Sequence, residues 1–174
     1  VTNGFVEAQP WRELLEHIDA VNIDLKAFSE DFYQRDCAGR LLPVQQAIAA
    51  AVDKCHVEVT TLLVEGHNTA PAEIRNLSAF LADLDPNIPL HLARYHPAHR
   101  WRQAATSPSL ILELADVARE RLNFVYPGNL PQSLQALTLC PHCGHILIER
   151  SPNLYIAVQG GQCPYCQQSV NIIL

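Results

Sequence analysis

Apolar and polar residues alternate strictly over Val21-Asn22-Ile23-Asp24-Leu25-Lys26, the two-residue period of a β-strand. A β-branched run from His56 to Val64 predicts a second strand, broken at Gly66 and Asn68. Residues Ile88 to Tyr95 predict a third, and Phe124 to Tyr126 a short last one ended by Pro127-Gly128. Between the strands the period becomes helical. A helix starting near Pro43 would place Val44, Ile48 and Val52 on one face. A second opens at Pro71, with Glu73 in its first turn and Ile74, Leu77, Leu81 and Leu84 as its stripe. Ser107-Pro108 caps a third, with the stripe Ile111, Leu114, Ala115, Ala118 and Leu122. Alternating strand and helix implies right-handed crossovers and a parallel sheet, either open or part of a barrel. The readable strands are too few for a full barrel of about 250 residues.

This pattern covers residues 1–135 and predicts an α/β segment. Residues 136–174 lack a helical period and carry the chain's close cysteine pairs. Cys140-Pro141-His142-Cys143 is followed, after 19 residues, by Cys163-Pro164-Tyr165-Cys166. A two-residue spacer lets both thiolates of a tight turn reach one ion, and two such turns complete a tetrahedron. Gly144 follows the first turn, where the chain must open sharply. Strand-like stretches between Ile146 and Val158 suggest a ribbon hairpin. A closed four-thiolate site is structural rather than catalytic, which leaves His142 and His145 outside the ligand set. Zinc is the expected metal. Iron on the same thiolates, or two disulfides, are the alternatives.

The strand at 21–26 has one wholly polar face, formed by Asn22, Asp24 and Lys26. Strands of parallel sheets are ordinarily apolar on both faces, and an unpartnered buried carboxylate or ammonium is costly. The apolar face is therefore expected under helices and the polar face on a wet ligand cavity, with Asp24 and Lys26 at the carboxyl end where α/β folds bind ligands. An edge strand with a solvated face, or an internal Asp24–Lys26 ion pair, explains the same pattern without a ligand. Polar residues gather at other strand ends too: Thr2-Asn3-Gly4, and His91, Arg94, Tyr95 and His96. His91 and Arg94 fall on opposite faces and cannot line one cavity.

Bulk properties narrow the partners. The 174 residues are 48% hydrophobic and 17% charged, with a formal net charge of −6, ordinary for a globular protein. The acidic balance argues against nucleic acid or an anionic membrane as partner. No apolar run approaches the roughly 20 residues of a membrane span. Val1-Thr2-Asn3-Gly4-Phe5 lacks the basic start and apolar stretch of a signal peptide, so a cytoplasmic location is expected. There is no Met, even at position 1, which suggests that the true start lies upstream.

Several of these segments together resemble a known family. They are Thr2-Asn3-Gly4, Asp19 through Phe28, Phe32-Tyr33, Cys37 through Pro43, Glu58 through Leu63, Gly66-His67-Asn68, Pro89 through Pro97, Tyr126 through Asn129, and the two CPxC pairs. The chain is similar in these to the radical S-adenosylmethionine proteins of the AmmeMemoRadiSam system, relatives of the pyruvate formate-lyase activating enzymes. The resemblance implies the C-terminal half of a partial (β/α)6 radical-SAM barrel followed by a small four-Cys zinc-ribbon-like domain. It implies a [4Fe–4S] cluster on a CxxxCxxC loop after the first barrel strand. That cluster would cleave S-adenosylmethionine reductively to a radical that abstracts hydrogen from substrate. It further implies that Asp24 and Lys26 face the cofactor and substrate cavity, that His96 contacts S-adenosylmethionine, and that Thr2 and Asn3 border the same cavity. Metal ligation falls to Cys140, Cys143, Cys163 and Cys166.

The chain departs from the family in places. It has no CxxxCxxC: Cys37 and Cys55 stand alone and every paired Cys belongs to the tail. It should therefore be inactive by itself, as a fragment or as one half of a split enzyme whose other chain brings the cluster. Glu65 stands where the family usually has Pro, and Gln167 where it has Gly. The substrate is unspecified, a protein or a small molecule. Two other functions compete: a non-catalytic zinc-ribbon binding module on a degenerate α/β scaffold, and a metal-free enzyme using Asp24, Lys26 and His96 for acid–base chemistry.

Overall fold

The apolar stripes read from the sequence converge on one side of a parallel sheet. A computed structural model describes residues 1–99, 101–131, 137–150 and 153–172. Its elements run α1 (Ala8–Leu15), β1 (Ala20–Asp24), α2 (Glu30–Asp36), α3 (Leu41–Val52), β2 (His56–Leu63), α4 (Pro71–Leu84), β3 (Leu90–Arg94), α5 (Pro108–Arg119) and β4 (Val125–Gly128). Three short strands follow: β5 (Thr138–Leu139), β6 (Ile146–Glu149) and β7 (Tyr155–Ile156). Strands β1 to β4 form an open parallel sheet in chain order, and β5-β6-β7 an antiparallel one.

Val21, Ile23 and Leu25, with Val57, Val59, Leu63, Leu90 and Leu92, form the sheet's buried side of the core. Ile48 of α3, Ile74, Leu77 and Leu81 of α4, and Ile111 and Leu114 of α5 pack on it. The expected helix stripes are thus the buried faces. The α4 bounds match the expectation from Pro71, and Ser107 caps α5 by accepting the Leu110 N–H.

Differences from the sequence reading have local causes. Helices α1 and α2 were not expected. Each is at most eight residues long, too short for a helical period to show. Trp11 and Leu15 alone anchor α1, and the Trp11 indole donates to the Ala47 carbonyl at 2.9 Å. Helix α3 starts at Leu41 rather than Pro43. Pro43 then sits in the first turn, where a missing N–H costs nothing, and Glu30 Oε2 accepts the Leu41 N–H at 2.8 Å. Strand β4 runs through Pro127 instead of stopping before it. It lies at the end of the sheet, where a strand proline is tolerated.

The β5-β6-β7 ribbon realises the expected hairpin and packs around Leu147, Ile148, Val158, Val170 and the cysteines. The expected boundary at 135/136 lies outside the described residues. Among the described residues no helix is long and apolar enough to cross a membrane.

Candidate functional site

Strand parity dictates the polar face. In the register of the sheet, Asn22 stands beside Glu58, and Asp24, Thr60, His91 and Tyr126 form one row across four strands. These side chains are half-buried, on the face away from the helices. Thr60 Oγ1 donates to Asn22 Oδ1 at 3.0 Å. His91 Nε2 lies 3.0 Å from Glu58 Oε2, and His56 Nε2 lies 3.6 Å from Glu58 Oε1. The hydrogen bond from His91, which outweighs burial and is reinforced by the ring's charge and by Asn22 and His56, holds the Glu58 carboxyl down at about 2. His91 also stacks on Tyr126, with ring centroids 5.3 Å apart.

The carboxyl end of β1 is pinned by neighbouring side chains. Lys26 lies two residues beyond the strand, and its Nζ sits 2.6 Å from Asp24 Oδ2. The two side chains are 39% and 29% exposed. So β1 is an edge strand of the sheet and carries an internal ion pair, and either feature by itself explains its polar face without a ligand. The Lys26 backbone is fixed at both ends: its N–H donates to Tyr33 Oη at 3.0 Å, and its carbonyl accepts from Asn68 Nδ2 at 2.8 Å. Asn68 is 1% exposed. It also donates to the Leu62 carbonyl at 2.9 Å and accepts the Val64 N–H at 2.7 Å. Thr61 Oγ1 donates to the Leu25 carbonyl and Glu73 Oε1 accepts the Phe28 N–H. Burial pushes the Tyr33 phenol up to about 12, despite the hydrogen bond from Lys26, and raises the Glu73 carboxyl.

Thr2 joins the outer edge of β1 by a parallel bridge. Its N–H donates to the Asn22 carbonyl at 3.0 Å, and its carbonyl accepts the Asp24 N–H at 2.8 Å. Thr2 Oγ1 and Asn3 Oδ1 accept the N–H groups of Gly4 and Phe5 and so cap their own turn. Gly4 is required there: its φ is +66°, and a Cβ would lie 2.8 Å from Ile23 Cγ2. His96 is exposed on the loop after β3, with Nε2 3.4 Å from the Asn129 carbonyl. No hydrogen bond joins it to Asp24 or Lys26 among the described residues. The structure thus brings Thr2, Asp24 and Lys26 together and leaves His96 on a separate loop at the same end of the strands.

A cavity of about 750 Å³ lies between the polar face and the ribbon. Its walls include Glu58, His91 and Tyr126 from the sheet and Thr138, Ile148 and Arg150 from the ribbon, but not Asp24, Lys26 or His96. Thr138 Oγ1 bonds Tyr126 Oη at 3.1 Å and accepts from Arg150 Nη1 at 3.1 Å. The Arg150 guanidinium sits 5.4 Å from the Tyr126 ring centre.

In the ribbon, Cys140, Cys143, Cys163 and Cys166 form a group able to hold one metal ion, their sulfurs all within 4.8 Å of one another. Two of the separations, Cys140–Cys166 and Cys143–Cys163, are 3.7 Å. That is the edge of about 3.8 Å for a tetrahedron with metal–sulfur bonds of about 2.3 Å, and far too long for a disulfide. The knuckles are near copies. Gly144 N–H donates to the Cys140 carbonyl at 2.9 Å and Gln167 N–H to the Cys163 carbonyl at 2.8 Å. His142 bonds the Ser169 carbonyl and His145 stacks on Tyr165, so neither joins the thiolate group.

Sequence reasoning missed the roles of Tyr33, Asn68, Glu73, Glu58 and Arg150. Asn68 carried a signal, since an Asn directly after a strand turn often satisfies loop backbone. The Glu58–His91 pairing depends on the register of two strands and had none.

No family model matches the chain. It is 34% identical, over its whole length, to the uncharacterized protein MJ0808 of Methanocaldococcus jannaschii, and spans 54% of that protein's length. Among solved structures it resembles a domain of pyruvate-formate lyase-activating enzyme from Bacteroides vulgatus, with a TM-score of 0.63 and 20% identity. The match covers 74% of this chain and 80% of that domain. TYW1 with a lysine-pyruvate adduct bound matches with a TM-score of 0.50 and 20% identity, over 72% of this chain and 41% of that one. At such identities the likeness establishes a shared fold.

Proposed function

We propose that the chain works as the C-terminal part of a radical S-adenosylmethionine enzyme related to the activating enzymes, in the AmmeMemoRadiSam group. One observation carries the reading. A parallel sheet with the fold of an activating-enzyme domain presents its polar face with Asp24 and Lys26 locked at the carboxyl end. Holding an ion pair half-exposed with its backbone fixed on both sides keeps it ordered for a ligand at little further entropic cost.

In this reading Asp24 and Lys26 face S-adenosylmethionine and substrate, His96 approaches the cofactor from the β3 loop, and Thr2 and Asn3 border the same space. A [4Fe–4S] cluster, whose three thiolates this chain does not contain, would supply the electron that generates a 5′-deoxyadenosyl radical. The cluster loop then comes from preceding residues of a longer polypeptide or from a complementary chain. The matched relative's extra length agrees with the first source. Lys26 Nζ donates to Asp24 Oδ2, so the pair presents a dipole rather than a net charge to a cofactor whose ammonium and carboxylate are themselves polar and whose sulfonium leaves it a net cation. The four ribbon cysteines hold a structural zinc. The substrate is a protein or small molecule met at the open mouth above β1.

The test is production of the polypeptide together with the segment carrying the three-cysteine loop, reconstituted anaerobically with iron and sulfide. S-Adenosylmethionine with dithionite should yield 5′-deoxyadenosine, and Asp24→Asn or Lys26→Met should each lower the rate at least about tenfold. Absence of the nucleoside, or full rates in both variants, overturns the proposal.

A further inference from the structure

The cavity under the ribbon has features that the radical reading does not use. It begins at the amino ends of the strands, beside Asp19 and His56, and runs along β4 to Asn129. Its charges are unevenly met. Every oxygen of Glu58 already faces an imidazole, Oε2 against His91 and Oε1 against His56. Arg150 differs. Among the described residues no carboxylate pairs with it, and its one hydrogen bond is from Nη1 to the neutral hydroxyl of Thr138. Arg150 is exposed and lines the cavity at the ribbon side, whose walls also include the apolar side chains of Pro89, Phe124, Ile148 and Ile172, while the exposed Asp19 carboxylate lies at the strands' amino ends. The guanidinium is held by its hydrogen bond to Thr138 and by a cation–π contact with Tyr126, which Thr138 and His91 also contact. A fixed cation with free donors beside an apolar wall calls for an anionic group on an apolar body.

We propose that this cavity binds a small molecule with an apolar body bearing one anionic group, a carboxylate, sulfonate or phosphate. The anion lies on Arg150, and the body lies against Phe124 and Ile148. The site is distinct from Asp24 and Lys26, it requires no radical chemistry, and its far wall is supplied by the ribbon.

A matched pair of fluorescent probes tests it on the full metal-loaded chain. 1-Anilinonaphthalene-8-sulfonate carries the anion, and N-phenyl-1-naphthylamine has the same body without it. The sulfonate should bind saturably, at one probe per chain, and about tenfold more tightly than the neutral amine. Arg150→Gln should remove that preference, leaving both probes at the weaker affinity, while Arg75→Gln on the exposed face of α4 keeps it. Equal affinity for the two probes in the unaltered chain overturns the proposal without reference to any variant. So does an unchanged preference in Arg150→Gln. So does loss of binding in Leu154→Ser, which would place the probe on the exposed apolar edge of the ribbon instead.

Discussion

Eleven of the twelve largest fully buried side chains among the described residues lie in the α/β segment; the twelfth, Leu147, lies in the ribbon. Each such side chain stabilises by roughly 1.5–3 kcal/mol. Ordering each residue's backbone costs about 1–2 kcal/mol. A sheet roofed by α3, α4 and α5 has enough apolar burial to offset that cost. A ribbon of three short strands around Leu147, Ile148, Val158 and Val170 does not, and its outer positions Leu154, Tyr155 and Ile156 stay exposed. Its four thiols occupy the place an apolar core would fill. The α/β region is therefore ordered by apolar burial, and we propose that the ribbon is ordered by coordination.

The largest effect should follow from taking the metal away. Structural zinc in small fingers contributes an apparent 10–16 kcal/mol or so, more than the ribbon's burial can replace. Chelation, or Cys140→Ser, is expected to collapse the amide dispersion of residues 137–150 and 153–172 while resonances of Leu77 and Leu92 hold their positions. Metal analysis should give about one ion per chain. A ribbon that keeps its spectrum without metal would mean that coordination does not organise it, and the contrast between the regions would fail.

Next in size is a cavity cut into the other core. Leu77 is fully buried between α4 and the sheet. Leu77→Ala should cost about 2–5 kcal/mol of α/β stability, read as a lower urea midpoint for the segment's helical circular dichroism. Metal retention by the ribbon should be unchanged. If the ribbon released its metal at that same lowered midpoint, the two regions would be one cooperative unit, joined through the contacts of Thr138 and Arg150 with Tyr126.

How far each region could be read from its sequence follows the same division. The clustering of the ribbon's four cysteines was readable because CxxC spacing is local: a turn of four residues fixes both sulfurs whatever the remainder of the chain does. The helices α4 and α5 were readable because each spans three turns or more and shows its stripe. The polar side of β1 followed from alternation alone. What that polarity is for did not follow, since Asn22, Asp24 and Lys26 read alike whether they meet a ligand or one another, and the structure pairs Asp24 with Lys26. Glu58 and His91 are 33 residues apart and meet only because β2 and β3 are in one particular register. Asn68 looked like a breaker; its place after a strand turn hints at loop bonding, but which two carbonyls it serves appears only once the loops after β1 and β2 are seen to cross it.

The smallest effect separates the two knuckles from each other. After Cys143 the chain turns through Gly144 at φ +73°, and after Cys166 through Gln167 at φ +63°. Both turns close with the same hydrogen bond back to the first cysteine's carbonyl, so the backbone shape is shared and only the side chain differs. A residue with a Cβ in the left-handed region is strained by about 1–2 kcal/mol, whereas glycine adopts it freely but gives the unfolded chain about 0.4–1 kcal/mol of extra entropy. Gln167→Gly should therefore stabilise the loaded ribbon by roughly 0.5–1 kcal/mol, the difference of those two effects. Gly144→Gln should destabilise it by a similar amount. Competition with a chromogenic chelator reads both as opposite shifts of a few-fold in metal affinity. Because the two swaps exchange one side chain between otherwise equivalent turns, shifts of the same sign would show that something other than backbone strain distinguishes the knuckles.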